Sequence, residues 1–86
     1  MGEQFVGTVT HYFGKPGVAI VDITAGEVNV GDTIRIAGHS SDFTQQIGSM
    51  ELEHEAVDSA KVGDSVGIKV DERAREHDEV YRVTSD

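Results

Sequence analysis

The branched aliphatic residues of this chain are almost all β-branched: twelve Val and six Ile stand against a single Leu, Leu52. Two heavy atoms on Cβ restrict χ1, which disfavours a helix and suits a pleated, half-buried strand. Ten glycines and closely spaced turn residues cut this apolar material into short runs. Runs of that length, bounded by turn chemistry, read as strands. Six are expected: Gln4 to Tyr12, Val18 to Thr24, Asp32 to Ala37, Phe43 to about Glu53, Ser65 to Val70 and Glu79 to Val83. Val18 to Thr24 follows the turn Gly14-Lys15-Pro16-Gly17 and sets Ala19, Val21 and Ile23 on one face, with Val18, Ile20 and Asp22 on the other. Gly48 marks a bulge or bend inside the long fourth strand. Ala56 to Lys61 and Asp71 to His77 have room for one helical turn each. Short strands with tight turns and no long amphipathic helix predict an all-β barrel or sandwich.

One turn recurs. Val30-Gly31-Asp32-Thr33-Ile34-Arg35-Ile36 matches Val62-Gly63-Asp64-Ser65-Val66-Gly67-Ile68, and His77-Asp78-Glu79-Val80 is a weaker third copy. Duplicated ligand sites are one reading. Turn chemistry explains every position and is preferred: Gly31 and Gly63 supply positive φ, Asp32 and Asp64 accept backbone hydrogen bonds, and a strand follows.

Eighty-six residues suffice for one domain, here residues 1–86 with a barrel over about 4–83. The chain has no cysteine, which excludes disulfides and thiolate metal sites. Its start, Met1-Gly2-Glu3-Gln4, lacks the features of a secretion signal, and no segment is apolar enough to span a bilayer. A cytoplasmic, non-membrane protein is expected. Sixteen acidic residues against seven basic ones give a formal charge of -9. Such a surface repels phosphate backbones, so nucleic acid is a poor partner unless the basic residues cluster. The acidity itself serves solubility.

Gly7-Thr8-Val9-Thr10, Val18-Ala19 and Gly26-Glu27-Val28-Asn29-Val30-Gly31-Asp32-Thr33-Ile34-Arg35-Ile36-Ala37-Gly38 resemble domain 2 of elongation factor Tu and its relatives. Ala60-Lys61-Val62-Gly63-Asp64-Ser65-Val66-Gly67-Ile68 is similar to a later segment of that domain. The closing stretch from Val70 to Val83 also resembles the small C-terminal barrels of collagenase-like peptidase-family proteins. Both resemblances imply a six-stranded Greek-key barrel. In the large factors this barrel contacts tRNA, the ribosome or a neighbouring GTPase domain. No G-x-x-x-x-G-K-[ST] is present, so neither a nucleotide nor any other cofactor is expected. The resemblance to elongation factor Tu carries over one residue, Glu51, to the pocket that receives a terminal adenosine there; a solvated strand glutamate is the alternative.

Candidate chemistry is thin. His11, His39, His54 and His77 show no paired metal-ligand spacing. Glu51, Glu53 and Glu55 would share a face of one strand; a weakly held cation is one reading, a solvated acidic strand is preferred, and no metal site is expected. His39, Ser40 and Ser41 adjoin in one loop, where nucleophile geometry is hard to reach. Arg73 and Arg75, two apart in a polar connection, would project to one side as a partner-binding pair. Pairing with Glu72, Glu76 or Asp78 inside the loop is the alternative. These features lead to the expectation of a non-catalytic, translation-factor-like accessory module. Its expected partner is a protein, with RNA or the ribosome second, and a metal-dependent or hydrolytic enzyme last.

Overall fold

The structure, a computed structural model, describes residues 2–84, so Met1 of the N-terminal stretch lies outside the described residues. Among the described residues the protein is all β. Its strands are β1 (Gly2–Phe13), β2 (Val18–Ile23), β3 (Glu27–Asn29), β4 (Thr33–Ala37), β5 (Asp42–Gln46), β6 (Met50–Leu52), β7 (Glu55–Val57), β8 (Ser59–Lys61), β9 (Ser65–Lys69) and β10 (Glu79–Thr84). Eight form one antiparallel sheet in the order β5-β4-β10-β1-β2-β9-β6-β7, and β3 pairs with β8. No helix among the described residues is long and apolar enough to cross a membrane.

The all-β expectation holds, but its finer form is corrected. Among the described residues there are ten strands rather than six, and the backbone ladder does not close into a barrel. The expected long strand from Phe43 to Glu53 is two strands, because the chain turns away around Gly48. β5 pairs with β4 at one edge, whereas β6 pairs with β9 near the other. The two expected helical turns are absent. Ala56 to Lys61 contributes to β7 and β8, and Asp71 to His77 is an irregular connection.

β1 departs from simple alternation at two bulges. Its register shifts between Phe5 and Gly7 against β10, and between Val9 and His11 against β2. The extra residue at each shift re-aims the chain, so Val6 and Val9 both enter the core although their spacing is odd. At Gly7 a side chain would collide with the Asp22 carbonyl, so the close approach of β1 to β2 requires glycine there. The inward faces of β2, β4 and β9 supply Ala19, Val21, Ile23, Ile34, Ile36, Val66 and Ile68 to one continuous core with Met50, Ile47 and Val80.

The recurring turn has one geometry three times. Asn29 N donates to Asp32 Oδ2 at 2.8 Å, Lys61 N to Asp64 Oδ2 at 3.0 Å and Arg75 N to Asp78 Oδ2 at 2.9 Å. In each case the Asp amide returns a hydrogen bond to the first residue's carbonyl, at 2.9 to 3.1 Å. The third position has positive φ throughout: 99° at Gly31, 98° at Gly63 and 76° at His77. Arg35 ties three strands together, bonding Glu3 of β1 at 3.0 Å and Asp42 of β5 at 2.9 Å. Its hydrogen bond holds the Asp42 carboxyl below the usual carboxylate range.

Candidate functional site

The outer face of β2, β9 and β6 carries a groove. In the register, Ile20 of β2 lies opposite Gly67 of β9, and Gly67 lies opposite Glu51 of β6. The missing side chain at Gly67 leaves a depression in the middle of this row. A Cβ there would press on Val18 Cγ1 at 3.2 Å and Ile20 Cδ1 at 3.4 Å. The main depression holds about 490 Å³, with Phe13, Val18 and Ile20 as its apolar side and Glu51, Glu53 and His54 opposite. A second depression of about 260 Å³ continues from it, sharing Pro16, Val18, Glu51 and Gly67 and ending at Lys69.

Local structure sets both walls. Phe13 ends β1, directly opposite Val18 in the hairpin, and is 47% exposed, while its neighbour Tyr12 packs against the core. The other wall is the β6–β7 hairpin, where Leu52 pairs with Glu55. Glu53 and His54 form its turn with φ of 52° and 67°. This corrects the expectation that Glu51, Glu53 and Glu55 share one face of a single strand, because the turn reverses the chain between them. At the far end the Lys69 ammonium donates to the Pro16 carbonyl at 2.5 Å, bracing the β1–β2 turn.

The sequence-derived candidates separate in space. Glu51 sits at the centre of the groove. Arg73 and Arg75 are exposed on either side of buried Ala74, in the connection before β10. Among the described residues neither forms an ion pair with Glu72, Glu76 or Asp78. Arg75 lines a different depression of about 460 Å³ with His39, His77 and Glu79. Gly31, Asp32, Gly63 and Asp64 belong to the turns. Ser41 is buried, with its hydroxyl toward the Arg73 carbonyl at 3.5 Å. No three His, Asp or Glu side chains among the described residues converge as metal ligands. The groove's apolar side was missed from sequence, although the outward placement of Val18 and Ile20 was a signal for it.

A family model described as Elongation factor Tu domain 2 matches residues 17–81. The chain is 34% identical over 81 residues to a collagenase of Porphyromonas gingivalis, covering 93% of this chain and 22% of that protein. It is 34% identical over 77 residues to an uncharacterized protease of Methanocaldococcus jannaschii, covering 88% of this chain and 19% of that one. The chain thus spans about a fifth of the length of these relatives. Among solved structures, the C-terminal domain of a Geobacillus thermoleovorans protein named as a U32 peptidase superposes with a TM-score of 0.83. Its sequence is 25% identical, covering 90% of this chain and 96% of that one. Another crystal structure of that domain gives a TM-score of 0.86 at 24% identity, covering 94% and 93%.

These relatives overturn two expectations. A translation-factor accessory module and a non-enzymatic protein were both expected. The relatives are instead named as a collagenase and a protease, and the matching structures are domains of a protein named as a U32 peptidase. The motifs behind the first expectation are turns and strands of the all-β fold, which mark the fold and leave the activity open.

Proposed function

This chain belongs to the elongation factor Tu domain 2 family, and we propose that it works in peptidase-type proteins, as the domain that engages the polypeptide substrate. The observation that carries the reading is the groove across Ile20, Gly67 and Glu51. It joins an exposed aromatic and two aliphatic side chains to carboxylates across a glycine gap. A polypeptide offers matching chemistry, with apolar side chains beside hydrogen-bonding backbone. The names of the relatives supply the substrate class, and the collagenase makes gelatin a direct probe. The net charge of -9 disfavours a phosphate backbone in the same place.

Surface-immobilised protein exposed to gelatin tests this reading. Saturable binding that is lost in Gly67→Val, a variant that fills the gap, is expected. Gelatin binding unchanged by Gly67→Val, or no gelatin binding at all, would refute it. Far-ultraviolet circular dichroism establishes that the variant is folded.

A further inference from the structure

The groove also has a polarity that a neutral apolar peptide would not use. One side is aliphatic and aromatic: Val18, Ile20 and Phe13. The opposite side carries two carboxylates, Glu51 at the centre and Glu53 at the hairpin turn, with the imidazole of His54 beside Glu53. Between them Gly67 leaves an open channel without a side chain. The one ammonium at the groove's end, that of Lys69, is already engaged by the Pro16 carbonyl. The carboxylates themselves have no described cation within ion-pair distance.

We infer that the groove selects an arginine or lysine side chain of an extended peptide, laying its aliphatic stem across Gly67 beside Ile20 and its cationic head against Glu51 and Glu53. This inference rests on the polypeptide reading above and adds the side-chain class. Long basic side chains suit such a site because they bury methylenes while the charged head stays near water. A guanidinium can hydrogen-bond a carboxylate through two N–H groups at once, which favours Arg over Lys. The ring of Phe13, half exposed at the apolar rim, gives a cation a second favourable face. Complementarity extends to the whole molecule, since a protein of charge -9 attracts basic segments at long range.

The test uses two blocked, fluorescently labelled hexapeptides that are identical except at one central position. One carries Arg between Val residues, and the other carries citrulline, its uncharged isostere. Wild-type protein should bind the Arg peptide about ten-fold more tightly, the size expected for one charge-assisted hydrogen-bonded pair. Glu51→Gln should abolish that preference, and added salt should shrink it. Equal affinity for both peptides would overturn the basic-residue inference and leave the polypeptide reading standing. Failure of both peptides and of gelatin to bind would overturn the two together. So would displacement of bound peptide by a single-stranded RNA oligonucleotide, because the groove would then belong to nucleic acid.

Discussion

The side-chain carboxamide of Gln45 donates a hydrogen bond from Nε2 to the carbonyl of Lys69 at 2.9 Å. This contact joins β5, at one edge of the eight-stranded sheet, to the end of β9, five places along the strand order. The same side chain accepts from the Asp71 amide through Oε1 at 2.7 Å. Gln45 is buried, so a side chain satisfies backbone groups at a seam where the ladder does not close.

Gln45→Ala should therefore remove the part-buried side-chain partner of the Lys69 carbonyl and of the Asp71 amide, at a cost of roughly 1–3 kcal/mol. Chemical denaturation measures it directly. Gln45→Glu is the informative companion, since a carboxylate can accept from Asp71 but cannot donate to Lys69. Both variants matching wild-type stability would show that the seam holds without this clasp.

The three Asp turns differ at their positive-φ residue, and that difference is measurable. Gly31→Ala and Gly63→Ala should each lower stability by about 1 kcal/mol or more, because a Cβ is strained at φ near +98°. His77 already bears that strain. His77→Gly relieves about 1 kcal/mol of it and adds a similar amount of chain entropy. Its Tm should stay level or rise. A loss at His77→Gly as large as that at the other two positions would break the equivalence of the turns.

Much of this architecture was legible before any coordinates. Val18, Ile20 and Asp22 do face outward while Ala19, Val21 and Ile23 fill the core, because strict alternation holds along β2. Alternation fails in β1, where two bulges shift the phase. β3, β7 and β8 have three residues each, too few for a period to show. Gly48 signalled a bend but could not indicate that the flanking strands sit near opposite edges of a sheet, since that depends on long-range pairing. The groove was hidden for a related reason. Its floor is an absent side chain at Gly67, and Ile20 and Glu51 meet it only through register. Glu51 stood out through a family resemblance rather than through its surroundings. Gln45 gave no signal at all, being one polar residue on an alternating strand.

Tyr81 donates its hydroxyl proton to Glu79 at 2.9 Å. That hydrogen bond, with partial burial and the Glu79 charge, raises its pKa above the ordinary 10.0. Because the folded value is the higher one, the stabilisation is fully present below the unfolded pKa. It is lost as pH rises through the folded pKa. Tyr81 ring resonances followed by nuclear magnetic resonance should titrate above the range of a free tyrosine, and Glu79→Gln should bring the midpoint down. An unchanged midpoint in Glu79→Gln would remove the hydrogen bond as the cause.

The central claim is that the outer face of β2, β9 and β6 is where polypeptide binds. Amide nitrogen–proton correlation spectra recorded during titration with collagen-derived peptides test it most directly. The predicted result is a set of saturating shifts at Ile20, Gly67, Glu51 and the Glu53–His54 turn, with Arg73 and Arg75 unaffected. Shifts concentrated on Arg73, Arg75 and His39 would contradict it and move the binding surface to the connection before β10.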